Sequence, residues 1–96
     1  MREFDDKELS RRVDEVLFYV WDPIGVADEP CARGEYESYV PKVHQLVEQN
    51  DDIKPISSHL ADIVRDLMGL SPDKKQCDYT AELLLKHKQA IKDGCA

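Results

Sequence analysis

Several things are scarce in this chain, and each scarcity closes off a class of protein. Four glycines and five prolines in 96 residues are too few for a loop-rich β domain. No apolar run approaches the roughly 20 residues that span a bilayer, so no membrane partner is expected. The opening MREFDDKELSRR is charged and has no hydrophobic core, unlike a secretory leader, so a cytoplasmic protein is expected. The three cysteines, Cys31, Cys77 and Cys95, are odd in number and form no CxxC, which reads as free thiols and not as a disulfide framework. Positive charge is also short: 13 Lys and Arg stand against 20 Asp and Glu, a net charge of −7. The shortage is local. Residues 1–52 hold 14 acids and 6 Lys/Arg, a balance of −8, and residues 53–96 hold 6 acids and 7 Lys/Arg, a balance of +1. Such a chain repels phosphate, which argues against nucleic-acid binding. A concentrated acidic half can instead steer a basic protein into contact.

What is present is helical. A hydrophobic content of 42% argues against wholesale disorder, and a chain of this length makes one domain, residues 1–96. In KELSRRVDEVLFYVW, Leu9, Val13, Val16, Leu17 and Val20 recur at helical spacing. Asp5 or Asp6 can cap its start, and Pro23 ends it near Trp21. Residues 22–34 then form a loop, long for a connection between packed helices, with Ile24 and Val26 as its expected apolar pins. A second helix is expected over EYESYVPKVHQLVEQ, with Tyr36, Tyr39, Val40, Val43, Leu46 and Val47 on one face. Pro41 inside it predicts either a bend or a short turn at 35–39 followed by a helix from Pro41. The third helix, PISSHLADIVRDLMGL, buries Ile56, Leu60, Ile63, Val64, Leu67 and Met68 and stops at Gly69. The fourth begins at SPD, with Ser71 as N-cap and Pro72 as first residue, and runs to Gly94. It turns Cys77, Ala81, Leu84, Leu85 and Ile91 inward, with Lys86, Lys88 and Lys92 suited to its negative end. The expected fold is all-α: a compact antiparallel bundle of four helices with one long ordered loop after the first helix.

Motifs that carry chemistry are scarce too. There is no phosphate-cradling glycine loop and no GxSxG. His44, His59 and His87 fall on three different helices, HExxH is absent, and the cysteines lack zinc spacing. Cys31 and His44 are the one pair that a thiol or metal-dependent enzyme could use. Cys77 reads as a small buried side chain and His87 as a solvated one. No catalytic residue, metal or cofactor is assigned.

The remaining feature is the stretch VWDPIGVADEPCARGEYESYVPKV, residues 20–43. Trp21 offers a large apolar surface to close one end of a bundle. Asp22 can accept from nearby backbone N–H groups or a tyrosine hydroxyl. Tyr36 and Tyr39 can clasp the loop. Asp28, Glu29, Glu35 and Glu37 are too many charges to bury and must face water or a partner carrying Lys and Arg.

This stretch resembles the signature of a family of small bacterial helical proteins, WDPIGV followed by a proline and an EYxxYVP element, with an MGL helix end further on. The matching positions are Trp21 to Val26, Pro30, Glu35, Tyr36, Tyr39, Val40, Pro41 and Met68 to Leu70. Gly34 replaces the family's first acid and Glu37 its last. The match runs from Trp21 to Leu70, about half the chain. The resemblance implies a compact helical bundle and, in some relatives, a role as immunity proteins that neutralise a toxin, others having no assigned role; it carries over no catalytic residue.

The expectation is therefore a non-enzymatic protein-binding module, of the kind an immunity protein for a basic toxin domain represents. Its partner surface would comprise Asp28, Glu29, Glu35 and Glu37, with Tyr36 or Tyr39 as an aromatic anchor if one is exposed. The alternatives are a small metal-dependent or thiol enzyme and a homodimer joined through the loop.

Overall fold

The computed structural model describes residues 6–26 and 28–94. The caps expected from Asp5 and the Asp6 side chain, and the Cys95 thiol, lie outside the described residues. Helix α1 (Asp6–Val16) continues directly into a π-helical turn, Leu17–Trp21. After the loop come two 3₁₀ turns, Pro30–Ala32 and Glu37–Tyr39, then α2 (Val40–Gln49). Helix α3 (Ile53–Asp62) also runs into a π-helical turn, Ile63–Leu67, and α4 spans Lys74–Lys92. No strand occurs among the described residues.

Side-chain ties fix the helix directions. Gln76 donates from Nε2 to the Val20 carbonyl at 2.6 Å, and Arg12 Nη1 lies 3.2 Å from His87 Nδ1. Ascending α1 is therefore descending α4. Lys88 donates to the Asn50 carbonyl at 2.9 Å, and Ser57 to Asp78 at 2.5 Å, which sets α3 antiparallel to α4 as well. The result is the expected antiparallel four-helix bundle. Its core is Leu9, Val13, Leu17, Val43, Val47, Ile56, Leu60, Ala81 and Leu84, all 0% exposed, joined by the bulkier Phe18, Trp21 and Tyr36 at 2% or less.

The two π turns shift the helical phase. A π turn carries about one more residue than an α turn, so the inward position moves from i+4 towards i+5. In α3 this turns Leu67 outward, 68% exposed, and brings Met68 against the core. That corrects the inward placement expected for Leu67. In α1 the same shift buries Trp21 and leaves Val20 half-buried.

Two helix starts and the burial of one lysine have local reasons. Pro41 is the second residue of α2, where its missing N–H has no helical partner to lose, so the preceding residues form the separate 3₁₀ turn. The N-cap of α4 is Asp73, not Ser71. Its Oδ1 accepts from the N–H of Lys75 at 3.0 Å and Gln76 at 3.3 Å, and a carboxylate at the positive helix end outcompetes a hydroxyl. Lys88, expected to suit the negative end of α4, is also buried. Gly69 does end α3, with φ +66°, and the Leu70 N–H reaches back to the Val64 carbonyl at 2.9 Å.

Candidate functional site

The corner after α1 is organised by Asp22. Its backbone is left-handed, φ 30° and ψ 62°, the one non-glycine residue with positive φ among those described. That conformation costs a side-chain-bearing residue of order 1–3 kcal/mol, least for Asp and Asn. The surroundings hold it there. The Asp22 N–H donates to the Leu17 carbonyl at 3.0 Å, closing the π turn. Asp22 Oδ1 accepts the Val26 N–H at 2.8 Å and the Tyr36 hydroxyl at 2.6 Å. The same hydroxyl oxygen accepts the Ile24 N–H at 3.3 Å. Burial, and then the adjoining Asp22 carboxylate, push the Tyr36 phenol well above its usual range, so it remains a donor.

Aromatic packing finishes the clasp. The Trp21 ring lies 5.5 Å from that of Tyr36 and meets Tyr39 edge-on at 6.3 Å. Trp21 and Cys77 also line one small cavity together. The architectural reading of Trp21, Asp22 and the tyrosines thus agrees with the structure. The pins do not agree in full: Val26 packs against the core, but the Ile24 side chain is 40% exposed. Only the Ile24 backbone is fastened, through Tyr36, and that leaves its side chain free to face water.

Tyr36 also requires correction as a surface anchor. At 1% exposed it belongs to the core and has no face left for a partner. Tyr39 is half-buried against Trp21. The apolar side chain that this loop does offer to solvent is Ile24.

The carboxylates divide sharply. Asp28, Glu29, Glu35 and Glu37 are all exposed, and none of their carboxylates takes part in a hydrogen bond or ion pair among the described residues. Every other described carboxylate side chain but Glu48 has a hydrogen bond or a Lys or Arg cation within 4 Å. On α1, Arg11 pairs with Glu8 and Glu15, and Arg12 Nε reaches Glu8 at 2.9 Å; these guanidinium hydrogen bonds draw Glu8 down to about 2. Asp14 holds Arg33. Asp51 holds Lys88, Asp62 and Asp66 hold Arg65, and Asp78 holds Lys74. Asp52 and Asp73 are helix caps, and Asp93 accepts from Gln89. The loosest are Glu48, 3.7 Å from the His44 imidazole, and Glu82, 3.9 Å from Lys86.

Arg33, which no sequence pattern singles out, steadies the loop that bears the free acids. Its guanidinium grips Asp14 of α1 through two hydrogen bonds, 2.9 and 3.2 Å, and lies over the Phe18 and Tyr19 rings at 4.8 and 5.3 Å. The Asp14 carboxylate raises the arginine's pKa further. Only its position as the single cation in residues 22–41 hints at this role. Gly34 next to it leaves room for a carboxylate, since a Cβ there would stand 3.2 Å from Glu37 Oε2.

Among the described residues no three His, Cys, Asp or Glu side chains are placed to share a metal ion. Cys31 is exposed in the first 3₁₀ turn, and His44 lies on α2 with Nε2 buried. His87 is half-buried beside Arg12 and not solvated as expected; burial first, and the Arg12 charge second, hold its pKa below normal. No described helix is long and apolar enough to cross a membrane.

Comparison with protein-family models, with curated proteins and with solved structures returns no match to this chain.

Proposed function

We propose that this protein is a non-enzymatic binding module whose loop between α1 and α2 receives a basic protein. One observation carries the reading: where every other described carboxylate but Glu48 is engaged, the four in this loop, Asp28, Glu29, Glu35 and Glu37, are exposed and have no side-chain partner among the described residues. Unpaired like charges repel one another and do little for the fold. Held on a braced loop, they are preorganised for Lys and Arg side chains. Ile24, exposed in the same loop, supplies an apolar contact.

A narrower form of the proposal is an immunity protein for a basic toxin domain such as a nuclease. The resemblance of Trp21–Leu70 to the family described above supports this form. Inhibition would work by occlusion, with the carboxylates occupying a groove that otherwise receives phosphate.

The test is stopped-flow association with a basic nuclease domain encoded beside this protein's gene. Steering by the loop predicts that association slows as salt rises past about 0.1 M, where the screening length falls to roughly 10 Å. Replacing the four acids by Asn and Gln should slow it similarly at low salt. Salt-independent association, or an unchanged rate for the replaced protein, defeats the proposal.

A further inference from the structure

A cleft of about 510 Å³ opens between the length of α3, from Lys54 to Ala61, and the start of α4, within the range of small-molecule sites. Its apolar lining comes from Ala61, Pro72 and Cys77. Burial pushes the Cys77 thiol up, so the sulfur lines the cleft as a neutral group. The polar lining is Lys54, Ser57, Ser58, Lys74 and Asp78.

The charges at this rim do not cancel. Asp78 is fully used: Oδ1 accepts the Ser57 hydroxyl at 2.5 Å and Oδ2 accepts Lys74 Nζ at 2.9 Å. Those two bonds keep its pKa below the usual carboxylate range, so it stays charged and balances Lys74. Lys54 is left over. Its ammonium has no hydrogen bond or ion pair among the described residues, and the Ser58 hydroxyl is likewise uncommitted. The backbone N–H groups of both first turns give no anion site of their own, because Asp52 and Asp73 cap them. The residues that line the cleft therefore carry one net positive charge, Lys54 and Lys74 against Asp78, and a spare hydroxyl beside an apolar floor.

We propose that this cleft binds a small amphipathic monoanion, an organic carboxylate with an aliphatic or aromatic body, its head group on Lys54 and Ser58 and its body against Ala61, Pro72 and Cys77. A dianion such as a phosphate monoester would meet the Asp78 carboxylate with too little positive charge to offset it. An alkylammonium would find both Asp78 oxygens occupied and Lys54 repelling it. The site is separate from the acidic loop and does not depend on the function proposed for that loop.

The experiment is an amide-shift titration of the full chain with octanoate, 1-octanol and octylammonium as probes. Octanoate should shift the Ser57, Ser58, Ala61 and Cys77 amides saturably and bind more tightly than the other two. Lys54→Gln, an exposed change that leaves the core intact, should weaken octanoate about three- to five-fold, as expected for one solvent-edged ion pair. Ala61→Phe, filling the floor, should abolish it. The proposal is overturned by absence of saturable shifts with octanoate, by equal or tighter binding of octanol or octylammonium, or by Lys54→Gln binding octanoate as well as the parent does.

Discussion

The two ends of the bundle are closed by opposite means. At the end where α1 leaves, Trp21 is 2% exposed, ringed by Tyr36, Tyr39 and Cys77, and the left-handed Asp22 is fastened by its carboxylate. At the other end, where α2 turns into α3, the closing side chain is Lys88. Its side chain is buried, and its ammonium donates to the Asn50 carbonyl and, at 2.8 Å, to Asp51. The first end removes a large apolar area from water. The second uses a charge whose partner carboxylate is 91% exposed and so is well screened. Stability should therefore reside in the tryptophan end, and the lysine end should be a tie that fixes the turn.

Trp21→Ala puts that contrast to its severest trial. Removing a fully buried indole costs about 3–5 kcal/mol, a large share of the stability of a 96-residue domain. Urea unfolding should show the loss directly, and a cost under about 1 kcal/mol would mean that the corner is not the closing element. Tyr36→Phe is the milder cut at the same end. It keeps the ring and deletes a hydroxyl that donates to a charged oxygen and accepts the Ile24 N–H, for about 1–2 kcal/mol. Lys88→Met at the other end keeps the apolar stem and leaves Asp51 in water. It should cost about 1 kcal/mol or less, chiefly for the Asn50 carbonyl. If Lys88→Met proved as damaging as Trp21→Ala, the assignment of the two ends would be reversed.

How far these features can be read from residues alone differs between the ends for a physical reason. Trp21, Pro23 and Tyr36 act over short sequence separation through bulk, fixed dihedrals and a hydroxyl near a carboxylate, so the clasp and the stop of α1 are legible. So are the exposed loop acids, because four charges so close together cannot all be buried. The Lys88 tie joins residues 37 and 38 apart, and a lysine late in a helix looks solvated until the fold brings a carbonyl to it. Leu67 was hidden for a different reason: a π turn changes the helical period, and a stripe counted at 3.6 residues per turn cannot register that. Tyr36 shows the converse hazard. An aromatic beside acids resembles an interface anchor, yet its ring belongs to the core.

A gentler probe of the polar seam between α1 and α4 is pH. His87 sits by Arg12 and Arg11, with Glu8 and Glu15 opposing them, and its pKa is lowered first by burial. His59 is lowered as well, again by burial first. A histidine with a depressed folded pKa binds its proton more readily when unfolded. Stability is thus unaffected well above the unfolded value of about 6.5 and falls as pH drops through and below it. Denaturant midpoints should decline between pH 7 and 5, and His87→Gln should flatten part of that decline while leaving the midpoint at pH 8 nearly unchanged. An undiminished slope in His87→Gln would assign the effect to other groups.

The smallest effect on stability is expected where the largest effect on binding is proposed. Asp28, Glu29, Glu35 and Glu37 have no partner among the described residues to lose. Replacing them together by Asn and Gln takes the net charge from −7 to −3 and removes mutual repulsion. Surface changes of this kind fall within about 0.5 kcal/mol of neutral, so the unfolding midpoint should hold or rise slightly. A substantial loss would show that these carboxylates brace the loop after all, contradicting their role as charges held out for a partner. The same fourfold variant then separates stability from recognition. If it folds like the parent and its association with a basic partner no longer responds to salt, the clasp and the acids are distinct devices, one holding the loop still and the other giving it something to bind with.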